Sequence, residues 1–386
     1  MAKKIFSREE QKAFNKKRAK ELYTDPERRE KYCEYALLAY DNDVIYFRID
    51  RVAQDFVEDY FDFDAGISKE DKEWAYSVGQ LGCKMYSLGI NRDNYQNYIS
   101  DFAFYNKSNY MNEKFDKWFD HKLSTYYVMA PFIDNMPEHY YYILNNQIMP
   151  LNDFSDKNAT VEDILNLIVQ KKKLVAKACV GGHGVGFYKF EYKDGSFYQN
   201  AKKISKDELI ALINSLDDYL ITEYINAAKA FRDACNDTFT VIRVVMVFDP
   251  EDGPQLTGAF IRLGTDKAGI VCDYPGTINC GVDLKTGKLF KPLYRGEYYK
   301  LDPIVFHPDS HVKLDELFVE TWPSLVEGCK MVSRHLAMTP YLVMDIIPTD
   351  DGFKILEINS HGQVKSVEAY YPFLLNEYNR KVFNIE

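Results

Sequence analysis

The chain has 386 residues and a formal charge of −10, from 48 basic and 58 acidic side chains. Hydrophobic residues make up 46% and charged residues 27%, a balance that excludes a disordered or fibrous protein. The acidic total argues against nucleic acid as the main partner, because phosphate backbones require a basic surface.

The N-terminus, MAKKIFSREEQKAFNKKRAKELY, lacks the apolar stretch of a secretory signal. No apolar run approaches the ~18–20 residues of a membrane span. A cytoplasmic protein is therefore expected. Met1 to Lys31 is basic, which suits a solvated helix or contact with an anionic partner. The seven cysteines include no C-x-x-C pair, so buried, reduced thiols are expected rather than structural zinc. Residues 1–115 read as mostly helical: Glu27–Tyr40 and Val44–Phe61 carry apolar side chains three and four apart. Asp101–Asn112 is aromatic and reads as irregular.

From Leu174 the pattern changes. Leu174–Val180 and Phe187–Tyr192 read as strands on either side of a glycine-rich turn, Lys206–Leu216 as a helix and Tyr219–Ile225 as a strand. Val241–Phe248 and Gln255–Leu263 flank the turn DPEDGP as a hairpin, and Lys285-Thr286-Gly287 marks another tight turn. Leu314–His335 reads as one helix with a proline near Trp322. Tyr341–Ile347 and Phe353–Ile358 form a last hairpin. Hairpins dominate and no βαβ rhythm appears, so the class is α+β rather than doubly wound.

Two segments carry chemistry. In LVAKACVGGHGVGFYKF, Lys177 lies in a strand followed by Gly181, Gly182, Gly184 and Gly186. Such glycines let backbone N–H groups converge on phosphate oxygens. The spacing is neither a Walker A nor a Rossmann fingerprint, and a plain turn needs fewer glycines. His183, at the tip, either meets a phosphate or stands exposed.

In YLVMDIIPTDDGFKILEINSH, pairing Ile347 with Ile355 sets Asp345 opposite Glu357, with Asn359 on the same face. Opposed Cβ atoms lie ~4.5–5.5 Å apart, where two carboxylates repel unless a cation intervenes. Two carboxylates and an amide are hard oxygen ligands suited to Mg²⁺. The flanking Met344, Ile346, Leu356 and Ile358 then face the core. An exposed edge hairpin has the same alternation.

Taken in order, these residues resemble the ATP-grasp superfamily, particularly its sugar-transfer-associated group. Asp120-His121-Lys122-Leu123 is similar to that group's first lysine segment, and Leu174–Lys177 to its second. Ile221–Ile225 is similar to the hinge strand, Thr240–Arg243 to a phosphate-side strand and Leu356–Asn359 to the metal-binding E-x-N. Ile261–Gly264 and His307-Pro308 resemble further features of the group.

The resemblance implies an ATP-grasp fold that clasps ATP, with residues 1–115 as a helical N-terminal region, 116–225 as the lid part and 226–386 as the large part. It implies that Lys122, Lys177 and the glycine loop including His183 hold phosphates. Glu223, Tyr224 and Ile225 would cradle adenine, and Asp345, Glu357 and Asn359 would hold magnesium. Arg243 would face the transferred phosphoryl group. Arg262 would hold a substrate carboxylate, unless it makes a surface ion pair. The implied activity is an ATP-dependent carboxylate–amine ligase acting through an acyl-phosphate on small molecules, probed first on a uronic acid of surface polysaccharide. A kinase on the same fold and a non-catalytic nucleotide-binding module are the alternatives.

Overall fold

The computed structural model describes residues 6–112, 114–151, 158–181, 186–236, 238–268, 275–297 and 300–385. The N-terminal part is helical: α1 Arg8–Leu22, α2 Pro26–Asp41, α3 Tyr46–Asp62, α4 Lys69–Ser77, α5 Cys83–Leu88 and α6 Asp101–Met111. Asp101–Met111, expected to be irregular, is a regular helix because the Ser100 hydroxyl accepts from the Ala103 N–H and caps it. Short helices α7 (Asp116–Asp120) and α8 (Lys122–Val128) lead to the first sheet.

That sheet is built from β1 His139–Leu144, β2 Gln147–Pro150, β3 Lys173–Ala178, β4 Phe187–Lys193, β5 Ser196–Gln199, β6 Lys202–Ile204 and β7 Tyr219–Glu223. Its order is β2-β1-β7-β3-β4-β5-β6, antiparallel throughout. Helices α9 (Val161–Lys171) and α10 (Lys206–Asn214) bury Ile164, Ile168, Leu209 and Ile213 against Leu174, Ala176, Phe190 and Ile221.

After α11 (Lys229–Ala234) comes the second sheet. Its strands are β8 Thr240–Asp249, β9 Gly253–Leu263, β10 Ile278–Val282, β11 Leu289–Arg295, β12 Leu301–Pro303, β13 Tyr341–Pro348 and β14 Phe353–Asn359. The order is β12-β11-β10-β9-β8-β13-β14, with β14 at the edge. The expected long helix at 314–335 is instead a single 3-10 turn followed by α12, Trp322–His335. Pro323 sits in its first turn, where a missing N–H costs nothing, so the proline starts the helix rather than interrupting it. Helices α13 (Lys365–Glu368) and α14 (Glu377–Phe383) close the chain.

Both faces of this sheet are covered. Trp322, Leu325, Cys329 and Val332 of α12 pack on one, against Ile242, Val244, Met344 and Ile346. On the other, Tyr35, Phe56, Phe102 and Phe104 of the N-terminal helices share a core with Val245, Val247, Tyr341 and Val343. Side chains alternate along a strand, so Arg243 and Asp345 belong to this second face. The N-terminal helices thus roof the face that carries the polar residues. Among the described residues no helix is long and apolar enough to cross a membrane.

Candidate functional site

The β13–β14 ladder pairs Asp345 with Glu357 and Val343 with Asn359. The expected partnership of Ile347 with Ile355 is off by one: Ile347 pairs with Lys354 and Ile346 with Ile355. A bulge at Leu356 absorbs the extra residue and restores the register at Glu357. Ile355 is therefore buried in the core, and Leu356, expected there, is only half-buried.

Each carboxylate has met a cation of the protein itself. Arg243, in register with Asp345 on the neighbouring strand, grips it through Nε at 2.8 Å and a terminal nitrogen at 2.7 Å. Lys122 Nζ lies 3.6 Å from Glu357 and donates to the Gly181 carbonyl at 3.0 Å. The expected repulsion is thus offset without an added ion. Asn359 keeps its amide nitrogen buried with no hydrogen-bond partner. Two carboxylates and the Asn359 amide oxygen are a hard oxygen donor set that fits a divalent cation.

Lys122 starts α8, where its own N–H donates to the Cys179 carbonyl at 3.0 Å at the end of β3. This ties the first lysine segment to the second. Lys177 lies two residues earlier on β3. Burial, then the neighbouring Lys122 ammonium, push its pKa down to about 8. Across the sheet His139 is pushed down to about 3 by burial and then by Lys177, and its Nδ1 meets the Pro137 carbonyl at 2.7 Å. His121 Nε2 lies 3.0 Å from Asp218, which also accepts from Tyr142.

Gly181 has φ +112° and Gly186 φ +73°, conformations that glycine adopts readily. Gly182, His183 and Gly184 lie outside the described residues. Glu223 accepts from the Glu138 N–H at 3.1 Å and returns its own N–H to the Glu138 carbonyl at 2.8 Å. The Tyr224 ring has the Lys173 and Lys189 ammoniums at 5.1 and 4.9 Å from its centre, and Ile225 is buried. Beside Glu223 opens a cavity of about 350 Å³ lined by Tyr126, Met136, Glu138, His139 and Lys354. It joins the hinge strand to β14, and the sequence offered no signal for its histidine or its Lys354 wall.

On the large sheet, Arg262 pairs with Val241 on one side and Asn279 on the other, so it shares the face of Arg243. It is 6% exposed, with its guanidinium 5.1 Å from the Phe260 ring centre, so it is not a surface residue. His307 is fully buried, its Nε2 2.9 Å from the Gly264 carbonyl. The residues after β14 were not singled out from sequence. His361 meets Asp116 at 3.0 Å, and Gln363 donates to the Tyr105 hydroxyl at 3.1 Å.

Two antiparallel sheets, with Lys177 on the first and Lys122 on the adjoining α8 brought to the acidic hairpin of the second, make this an ATP-grasp fold. The chain belongs to the family of sugar-transfer associated ATP-grasp proteins, whose profile matches residues 98–372. Solved structures with a similar fold include the ADP complex of N5-carboxyaminoimidazole ribonucleotide synthetase, with TM-score 0.36 and 10% identity over 64% of this chain and 46% of that one. The D-alanine–D-alanine ligase from Coxiella burnetii gives TM-score 0.35 and 11% identity over 69% and 57%. Biotin carboxylase from Campylobacter jejuni gives TM-score 0.40 and 13% identity over 70% and 46%. The chain spans about half the length of these solved proteins. No curated protein sequence matches it.

Proposed function

We propose that the protein is an ATP-dependent carboxylate–amine ligase that amidates an acidic sugar, a uronic acid, for surface polysaccharide in the cytoplasm. The observation that carries this reading is the meeting of Lys122 and Glu357 at 3.6 Å, beside Lys177 and the Arg243–Asp345 pair. Two lysine segments and an acidic hairpin distant in sequence converge on one point, an arrangement of charge suited to a metal-bound triphosphate. The family's association with sugar transfer supports the sugar acid.

In this reading Lys122 and Lys177 hold the phosphates, with Lys122 tied to Gly181 at the start of the glycine-rich segment. Glu223, Tyr224 and Ile225 border the adenine. Asp345, Glu357 and Asn359 hold magnesium, which would neutralise charge on the phosphate oxygens. Arg243, held in place by Asp345, faces the acyl-phosphate where new charge develops. Arg262 orients the substrate carboxylate.

The test is trapping. With ATP, magnesium, D-glucuronate and hydroxylamine, the enzyme should release ADP and form a hydroxamate, and Arg243→Ala should lose this far more than ATP affinity. A stable phosphorylated sugar with no hydroxamate would establish a kinase instead. Nucleotide binding with no ADP release over a panel of acids and amines would establish a non-catalytic module.

A further inference from the structure

A cavity of about 540 Å³ lies where α3 and α6 meet the large sheet and the segment leaving β14. Its size is within the ~300–1,000 Å³ of small-molecule sites. We propose that it receives the acid substrate, an anionic, hydroxyl-bearing small molecule, and that Arg48 on α3 supplies a cationic contact to its carboxylate in addition to the one assigned to Arg262. The proposal rests on the ligase reading above.

The first argument is the state of its cations. Arg51 is bound to Asp55 at 3.0 Å, and Lys365 lies 3.5 Å from Asp101. Arg48 differs. Its Nε is enclosed with no hydrogen-bond partner, and among the described residues no carboxylate pairs with it. The ring centres of Phe47 and Tyr105, 5.5 and 6.0 Å away, offset only part of its charge. The side chain is half-buried at the cavity wall, so its guanidinium can take an entering anion as its counter-charge.

The second argument is position. His361 and Gln363 line the cavity and follow Asn359 by two and four residues on the acidic strand's exit. The Asn112 amide holds that exit against α6, donating to the Tyr341 carbonyl at 2.6 Å and the Ser360 carbonyl at 2.8 Å. A ligand here lies against the segment that continues the acidic strand beyond Asn359, and none of the hinge-strand residues lines the cavity.

The third argument is the acceptors. Asp59 is turned into the fold by Tyr76 and the N–H groups of Gly82 and Cys83. Glu58 and Glu297 also line the wall. They suit hydroxyl donors, so a bare anion matches the cavity less well than a polyhydroxy acid. Arg48 precedes the family-matched residues 98–372, which makes this recognition a contribution of the N-terminal helices.

The test uses the full chain, with D-glucuronate and D-glucuronate 1-phosphate as probes and D-glucose as the neutral control. Calorimetry should show saturable binding of the acids and at least tenfold weaker binding of glucose. Arg48→Met, which keeps the apolar stem, should weaken the acids at least tenfold and leave Mg-ATP affinity within twofold. Arg48→Lys should recover part of the loss. In the native chain, saturating glucuronate 1-phosphate should slow amide exchange in residues 46–58 and 360–365. The proposal is overturned by no saturable binding of either acid, no preference over glucose, acid binding unchanged in Arg48→Met, or no protection of those segments. Arg48-dependent acid binding in a chain that binds no Mg-ATP would uphold the pocket and remove the ligase reading.

Discussion

Asp345 and Glu357 hold the same place on paired strands, yet their surroundings separate them. Asp345 gives both oxygens to Arg243, while Glu357 sits on the edge strand with Lys122 at 3.6 Å. Glu357 is thus the carboxylate more open to a bound ion. Replacing it by glutamine keeps the shape and removes the charge. Glu357→Gln should lower kcat at least about 100-fold with an unchanged circular dichroism spectrum, read in an ADP-release assay. Retained turnover would reduce the hairpin to structure.

Lys177 supplies a pH dependence. Its folded pKa is about 8, against 10.5 for the unprotected side chain. Below pH 8 it is charged in both folded and unfolded chains and carries the full cost of burial. From there to 10.5 the unfolded chain binds more protons, so stability rises with pH across that window. A triphosphate favours the charged form. ATP affinity should fall as pH rises above about 8, with a proton taken up on binding. Lys177→Met should bind more weakly and lose both effects, as calorimetry in buffers of differing ionisation enthalpy would show.

Elements set the geometry that these residues use. The bulge at Leu356 shifts β14 by one residue, so Ile355 and Ile358 both enter the core while Glu357 and Asn359 stay on the polar face. Alternation alone placed Leu356 inside, because a bulge leaves no mark in the period of two that strands otherwise obey. The exit from β14 is equally constrained. Gly362 lies so close to β13 that a Cβ there would be 2.3 Å from the Val343 side chain. Gly362→Ala must displace the segment carrying His361 and Gln363. It should cost about 1–3 kcal/mol of stability in a denaturant titration. It should also raise KM for the acid substrate more than KM for ATP. Equal effects on both would mean that the segment serves only the fold.

In the whole molecule, residues 1–115 do not form a closed unit beside the two sheets. Their aromatic core is completed by Val245, Val247, Tyr341 and Phe383. A buried polar junction reinforces this: Lys84 lies 3.1 Å from Asp101 and 3.9 Å from Glu368, and Glu368 accepts from the Ile99 N–H at 2.8 Å. Burial outweighs the attraction of Lys84 and pushes the Glu368 pKa up to about 7 from 4.5. Its stabilising contribution is then complete below pH 4.5 and is lost as pH rises through 7. Glu368→Gln keeps the acceptor for Ile99 and abolishes the ionisation. It should stabilise the protein at pH 8 by about 1–3 kcal/mol and have little effect at pH 5, a difference that melting temperatures would report.

By itself the sequence determined the local grammar: which runs alternate, where glycines break them, and that Asp345, Glu357 and Asn359 share a face. Those are consequences of strand period and turn chemistry, which act over a few residues. The order of lysine segment, glycine loop, hinge and acidic hairpin was enough to suggest the ATP-grasp class. Only the tertiary structure decided which charges meet. Asp345 and Arg243 lie 102 residues apart and are joined by strand register, while the Lys122–Glu357 contact depends on how the two sheets dock. The same holds for Arg48. Its role comes from a cavity walled by α3 and by the exit of β14, and no periodicity along α3 records what packs across from it.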